Sequence, residues 1–313
     1  MKVIESLAEI EIPFENAVVT IGNFDGVHKG HHSLMDAVIK KAGEIGGTAI
    51  VMTFEPHPLK VLRNGSSPPL ITLYEQKKER IEASGIDVLI CINFTEEFAA
   101  LDPEYFLEKI LVEKIGMKAI VAGRDYAFGK NRKGNIDFLK AMGGKLGYQV
   151  VLPDWIECLQ EGDRISSTRI RETILSGDVG RAASMLGRYY QIRGEVVRGR
   201  NRGGKLLGFP TANILFQDEL CPKYGVYAVT AEIDGKRFDG VANMGVSPTF
   251  GDDMFTAEVH LFDFSSDIYG KKIKVDFIAR LREEKKFSGL DELSAQIKKD
   301  AETAREILRE LKR

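Results

Sequence analysis

The sequence predicts an α/β protein in two parts, a doubly wound parallel sheet followed by an antiparallel barrel or sandwich with a C-terminal helix. Three observations lead there. Between residues 17 and 152 short apolar runs alternate with stretches of helical periodicity, the order of strand–helix–strand units in a parallel sheet. From residue 190 onward strands are separated by glycine-containing turns such as Asp234-Gly235 without helices between them. At 313 residues the chain is long for a single hydrophobic core, so two domains are expected.

In chain order, the runs 17–21, 48–54, 88–92, 119–122 and 148–152 have the length and apolar character of buried strands. Leu34, Val38, Ala42 and Ile45 follow the first of them at helical spacing. Asp102 and Pro103 read as an N-cap and the first helical position of another helix. A helical pattern over 178–186 closes the first domain, which sets the domains at 1–186 and 187–313. Beyond it, 191–197, 225–233 and 273–278 read as strands. Residues 291–312 read as one amphipathic helix with Leu293, Ile297, Ala301, Ala304 and Leu308 on its apolar face.

Composition removes several classes of function. With 43% hydrophobic and 29% charged residues the chain is ordinarily globular. A formal net charge of -2 argues against a general nucleic-acid binder, which concentrates Lys and Arg to neutralise a phosphate backbone. Cys91, Cys158 and Cys221 are odd in number and too far apart for metal-type spacing, as suits reduced thiols in a cytoplasm. Glu5, Glu9 and Glu11 interrupt the core that a signal peptide requires, and no apolar run approaches the ~20 residues that span a bilayer. A cytoplasmic protein with no membrane partner is expected, its oligomeric state left open.

Ligands of parallel sheets lie beyond the carboxyl ends of the strands. The first such loop, residues 20–34, reads T-I-G-N-F-D-G-V-H-K-G-H-H-S-L and places His28, Lys29, Gly30 and His31 where a strand hands over to a helix. Free N–H groups and the helix dipole attract phosphate there. Two imidazoles three residues apart share one face of the turn, and Gly22, Gly26 and Gly30 permit close approach to backbone. A pair of zinc ligands is the rival reading, but neither CxxC nor HExxH accompanies it.

Three more loops follow. Phe54-Glu55-Pro56-His57-Pro58 is stiffened by two prolines and reads equally well as a rigid turn. The loop from Gly123 through Asp125, Tyr126 and Phe128 to Gly134 reads as a ligand loop or as a solvated charged one. Arg164, Ser166, Ser167, Thr168, Arg169 and Arg171 interleave guanidinium forks with hydroxyls at a helix start, a composition that suits a polyphosphate.

Together these stretches resemble the bacterial bifunctional riboflavin kinase and FAD synthetase family. The string Gly-x-Phe-Asp-Gly-Val-His-x-Gly-His, the Phe-x-Pro-His-Pro turn, the Gly-x-Asp-x-x-Phe-Gly loop and the Ile-Ser-Ser-Thr-x-Ile-Arg motif occur in the family's order. The second half resembles the family's kinase domain in Gly208-Phe209-Pro210-Thr211-Ala212-Asn213, Asn243-Met244-Gly245, Pro248-Thr249-Phe250, Glu258-Val259-His260 and Leu281-Arg282-x-Glu-x-x-Phe287. Departures are Tyr126 for a frequent Phe, Gly204 for a common basic residue and Ser247 for a frequent Arg. The last two keep open an enzyme of this build with one decayed site.

The resemblance implies a Rossmann-like nucleotidyltransferase domain, then a six-stranded β-barrel, and two ATP- and Mg²⁺-dependent reactions: riboflavin to FMN, then FMN to FAD. It assigns adenylyltransferase ATP contacts to Gly22, Asn23, Phe24, Asp25, His28, Gly30, His31, Asp125, Arg164, Ser167, Thr168 and Arg171. Flavin contacts in that domain fall to Phe54, His57, Pro58, Asp125 and Phe128. Kinase ATP contacts fall to Gly199, Gly203, Lys205, Gly208, Pro210, Thr211 and Asn213, with Thr211 and Asn213 also on the metal and Glu258 as general base. Taken alone, Glu258 reads also as a cross-strand ion-pair partner. A non-catalytic flavin sensor and an adenylyltransferase for another phosphorylated metabolite are the rivals. Glu258, Thr211 and Asn213 together weigh against the sensor, since holding a flavin ring needs neither base nor metal.

Overall fold

The structure, a computed structural model, describes residues 1–63, 65, 67–154, 164–198, 210–215, 219–246 and 255–312. It divides into two compact units, Met1–Ser166 and Ser167–Arg313.

The first unit is built on a six-stranded parallel sheet of order β1-β4-β3-β2-β5-β6. Its strands are β1 (Lys2–Ile4), β2 (Ala17–Ile21), β3 (Ala49–Glu55), β4 (Val88–Asn93), β5 (Met117–Val121) and β6 (Gln149–Val151). Five lie within two residues of the expected runs. The edge strand β1 escaped the periodicity reading because it has three residues, of which Ile4 alone is buried. All five residues of β2 are buried. Val19 and Ile21 join the Phe106–Leu107–Leu111 side of the core, while Val18 joins Met35 and Val38 of α1 (Lys29–Ile45) on the other.

Helices α2 (Pro58–Leu62) and α3 (Tyr74–Ala83) precede β4, and α4 (Glu96–Ala99) follows it. Asp102 caps α5 (Pro103–Tyr105) as expected, its Oδ1 accepting the Glu104 N–H at 2.9 Å, and the helix runs on as a π-helical stretch, Phe106–Lys114. Helix α6 (Ile136–Leu146) leads to β6. The chain moves outward from β2 through β3 to β4 and then returns to β5 on β2's other side. This reversal makes the carboxyl ends of β2 and β5 the switch point where such sheets open a crevice.

The second unit begins with α7 (Ser167–Ser176) and α8 (Val179–Leu186) and continues into a closed antiparallel barrel of order β10-β11-β8-β7-β12-β9. Its strands are β7 (Tyr190–Val197), β8 (Ala212–Leu215), β9 (Gly225–Ile233), β10 (Lys236–Val246), β11 (Phe255–Leu261) and β12 (Lys272–Arg282). Closure settles the choice between barrel and sandwich. The compact units part at 166/167, twenty residues before the expected boundary, because α8 packs on barrel strands β7 and β12 and α7 packs on α8. The Lys223 N–H donates to the Ile174 carbonyl at 3.3 Å, and Arg280 lies against Gly177. The C-terminal helix α9 (Leu290–Glu310) buries Ala304 and Leu308 against Val226, Ala228, Val241 and Ile278 on the barrel's outer wall.

Candidate functional sites

In the first unit the chain leaves β2 through a tight turn into α1. Gly22 N–H donates to the Met52 carbonyl at 3.1 Å and Thr53 Oγ1 donates to the Asn23 carbonyl at 3.3 Å, so the turn stays tied to the end of β3. Phe24 and Val27 hold left-handed φ angles of 47° and 37° around Gly26 at 88°. For such residues this costs on the order of 1–3 kcal/mol each, which burial of both side chains offsets.

That turn ends at His28, the N-cap of α1. Its Nδ1 accepts the His31 N–H at 3.3 Å, and His31 Nδ1 accepts the His28 N–H at 3.3 Å: a capping box made from two imidazoles. Because each Nδ1 accepts a backbone N–H, each neutral ring carries its proton on Nε2, which makes both Nε2–H groups donors. The rings stack with centroids 3.6 Å apart and 17° between planes, and the Phe24 ring meets His31 edge-on at 5.1 Å. Gly30 makes room for the box, since a Cβ there would come within 3.2 Å of the His28 ring. The Ile165 carbonyl lies 3.8 Å from the same point, which brings the start of the 164–171 motif to the mouth of α1. Among the described residues no group of three or more His, Cys, Asp or Glu is placed to hold a metal.

Asp25, expected to frame the nucleotide, has a further structural task. Buried in the turn, its Oδ1 accepts the N–H groups of Ile71 and Thr72 at 2.9 and 3.1 Å, while Thr72 Oγ1 accepts the Gly26 N–H at 3.0 Å. The turn into α1 is thereby tied to the segment that enters α3. Lys77 on that helix is also buried, and burial holds its ammonium below the usual lysine range against the opposing pull of Asp25 and Glu55. Neither the 71–72 loop nor Lys77 was expected at the site, since only tertiary folding brings them to Asp25.

The other loops gather around the same carboxyl ends. His57 caps α2 through Nδ1, which accepts the Leu59 N–H at 3.2 Å, and Pro58 takes the first helical position. Phe54 packs edge-on to Phe94 at 5.4 Å and near Phe98 at 6.0 Å. From there an aromatic row runs through Phe106 to Phe128, on which Tyr126 stacks at 5.5 Å. The loop from Gly123 to Gly134 is closed as a small hairpin, in which Phe128 and Gly134 exchange both backbone bonds at 3.0 Å and the charged residues Lys130, Arg132 and Lys133 are exposed. A Cβ on Gly134 would sit 2.6 Å from the Phe128 ring. Arg164 Nη2 donates to Asp125 Oδ1 at 2.8 Å, an exposed pair that aligns the two loops more than it stabilises them.

Ser167 and Thr168 open α7, and Arg171 stands one turn along it. They fall in the second unit.

In the barrel, Ala257 and Val259 of β11 point inward and are fully buried, while Glu258 between them points out. Register places Glu258 opposite Asn213 of β8 on one side and Asn243 of β10 on the other, so three polar side chains lie in one row across three strands. Asn213 is buried. Although solvent reaches Glu258, its surroundings push its carboxyl above the usual range, first by desolvation and then through the charge of Glu284. Glu284 lies beyond β12, with Oε1 3.5 Å from Asn243 Nδ2 and 2.5 Å from where a Cβ on Gly245 would be. The sequence had offered Glu284 only as one letter of a motif, and the barrel's register gives it a place. His260, two residues along β11, donates from Nδ1 to the Pro210 carbonyl at 2.9 Å, which ties the Pro210-Thr211 segment to the row. Thr211 and Asn213 offer neutral oxygen donors without thiolate or imidazole, beside the carboxylate of Glu258 in register with Asn213. That suits Mg²⁺, which takes its remaining positions from water and phosphate. Gly199, Gly203, Lys205 and Gly208 lie outside the described residues, as do Gly204, Phe209, Ser247 and residues 248–250.

Comparison with known proteins agrees with this division. Residues 11–169 match the FAD synthetase family model and residues 186–308 match the riboflavin kinase model. Among curated relatives, proteins named bifunctional riboflavin kinase/FMN adenylyltransferase are similar along their whole length. The one from Haemophilus influenzae is 38% identical, covering 97% of this chain and 98% of its own. That from Escherichia coli is 36% identical, covering 98% and 97%. That from Bacillus subtilis is 41% identical, covering 92% and 91%. A crystal structure from Streptococcus pneumoniae, described as a macrolide-efflux protein, superposes with a TM-score of 0.86 at 33% identity, over 97% of this chain and 98% of that one. Efflux is the name of that protein; among the described residues of this chain no helix is long and apolar enough to cross a membrane.

Proposed function

This chain belongs to the bifunctional riboflavin kinase and FAD synthetase family, and from that premise we propose that it converts riboflavin to FMN in its barrel and FMN to FAD in its parallel-sheet domain. The functional boundary is placed at 186/187, with domains 1–186 and 187–313; the start of the kinase match at residue 186 supports it, and α7 and α8 serve as the join. A cytoplasmic setting is proposed with it, in keeping with the free thiols of Cys91 and Cys221.

The observation that carries the reading is the reciprocal imidazole cap at α1. FMN's phosphate is already largely a dianion at neutral pH, with a second pKa near ~6, so its attack on the α-phosphate of ATP needs no general base. An oxygen–phosphorus bond forms as the bond to pyrophosphate breaks, and charge grows on the leaving group. What the site must supply is alignment and hydrogen-bond donors aimed at that charge. The Nε2–H groups of His28 and His31 are such donors, pre-oriented by the cap and joined by the helix N-terminus. We assign Gly22 to Asp25, Gly30, Asp125, Arg164, Ser167, Thr168 and Arg171 to ATP. Phe54, His57, Pro58, Asp125 and Phe128 are assigned to the flavin, which the aromatic row supports.

Phosphorylation of riboflavin has the opposite requirement. A neutral ribityl hydroxyl must lose its proton as it attacks the γ-phosphate of ATP and ADP leaves. Glu258 is assigned as base, and its raised proton affinity suits it to accept. Gly199, Gly203, Lys205, Gly208 and Pro210 are assigned to ATP together with Thr211 and Asn213. The last two would hold Mg²⁺, which when bound neutralises charge on the transferring phosphate. Purified protein incubated with riboflavin, ATP and Mg²⁺ should yield FMN first and FAD later; riboflavin bound but unchanged would defeat the reading, and FMN alone would remove its second half.

A further inference from the structure

We infer that Asp300, on the C-terminal helix, is a positioning residue for the kinase reaction: it locks Arg282, and Arg282 sets the segment that follows β12 so that Glu284 lies against Asn243 in the row carrying Glu258. The inference rests on the reading of that row as the kinase site.

Asp300 is 6% exposed on a helix whose neighbouring positions 298 and 299 face solvent. Four hydrogen bonds converge on it. Arg282 Nε donates to Oδ1 and Oδ2 at 3.0 Å each and Nη2 donates to Oδ2 at 2.7 Å, while Gln296 Nε2 donates to Oδ1 at 2.8 Å. The remaining arm of the same guanidinium, Nη1, donates to the Glu283 carbonyl at 2.8 Å, and its plane lies 5.8 Å from the Phe287 ring. A planar fork held in this way has one orientation, which it passes to the backbone one residue before Glu284. The far end of the segment is fixed by the same helix. Glu292 accepts the Ser288 N–H at 3.0 Å, the Ser288 hydroxyl at 2.8 Å and Lys285 Nζ at 3.1 Å.

Ala304 and Leu308 seat α9 on the barrel through apolar contact, separately from the Arg282–Asp300 pair. The pair instead fixes where the strand end points. Gly245 completes the arrangement: any side chain there would meet the Glu284 carboxylate, so glycine leaves its seat open. Glu284 thus reaches the amide that stands beside Glu258 on β10. Release of Arg282 would let Glu284 leave that amide and would loosen the row that carries Glu258. Misplacement of that order costs about 10- to 100-fold in rate.

The test uses the full-length protein with riboflavin phosphorylation and FMN adenylylation measured side by side. Asp300→Asn and Glu284→Ala should each lower the phosphorylation kcat at least about tenfold, with KM for ATP and the adenylylation rate within about twofold of the parent. The double variant should be no worse than the weaker single, because both changes break one link. Losses that multiply, an unchanged kcat in either single variant, or equal loss of both activities would overturn the inference. Should Asp300→Asn not fold, Arg282→Lys reads the same link, since lysine keeps the charge without the fork; there an unchanged kcat would again overturn it. Glu258→Gln, run in parallel, separates the two levels. Retained phosphorylation in that variant defeats the kinase-site reading, whereas its loss alongside normal Asp300, Arg282 and Glu284 variants defeats the positioning role alone.

Discussion

His31 does two separable things, and three substitutions can tell them apart. Its Nδ1 closes the cap on the His28 N–H, and its Nε2–H is the donor proposed for phosphate. In His31→Ala both go. The orphaned N–H and lost cap cost about 1 kcal/mol, and the lost ring stacking about 0.5–1.5 kcal/mol more. For a unit of this size that lowers Tm by roughly 3–10 °C. Removal of a preorganised donor costs about 10²–10³ in rate. A glutamate at the same helical position rebuilds the cap, as in the ordinary capping box, and its charge suits the helix N-terminus. It donates nothing and repels phosphate. His31→Glu should therefore melt within about 1 kcal/mol of the parent yet form FAD no faster than His31→Ala. His31→Gln, whose amide can accept and donate at once, should hold both stability and part of the activity. Thermal melts and FAD formation from FMN would be compared across the series, with riboflavin phosphorylation as the internal control. If FAD formation followed stability, so that His31→Glu worked as well as the parent, the histidines would be a cap and nothing more.

Glu258→Gln should abolish FMN formation from riboflavin while FAD formation from supplied FMN continues; phosphorylation at the parental rate would require a different base. Gly134→Ala forces a methyl group into the Phe128 ring 2.6 Å away, an overpacking cost of about 1–3 kcal/mol. It should raise KM for FMN in adenylylation and leave phosphorylation alone, and an unchanged KM would detach Phe128 from the flavin. Glu292 is held at about 2 by the Ser288 N–H, then the Ser288 hydroxyl and Lys285. Its folded pKa lies below an unfolded value of ~4.3, so its contribution is complete above that pH and is lost as pH falls toward about 2. Glu292→Gln should flatten stability in that interval, and parallel curves would contradict the assignment.

How much of this was legible in the sequence depends on distance along the chain. The strand–turn–helix at residues 17–45 could be read because its strand, glycines, capping residues and helical period are contiguous, and the observed β2 matches the expected run to the residue. What the imidazoles do with Nδ1 was not legible, since histidine is not an ordinary capping residue. Asp25 could be read as part of the turn into α1, but its bond to Ile71 joins segments 46 residues apart and leaves no local pattern. The barrel shows the same limit. Strand texture was visible, whereas the row Asn213–Glu258–Asn243 exists only through the register of three strands, and Glu284 enters it from beyond a fourth. The join at α7 and α8 was read as the end of the first domain because helical periodicity says which face is apolar and not which core it meets.

The most direct test is a crystal of the full chain grown with a non-hydrolysable ATP analogue and Mg²⁺. A triphosphate is expected over the first turn of α1, with phosphoryl oxygens within hydrogen-bonding distance of both Nε2 atoms of His28 and His31. A triphosphate bound elsewhere in that domain, with both imidazoles out of its reach, would contradict it.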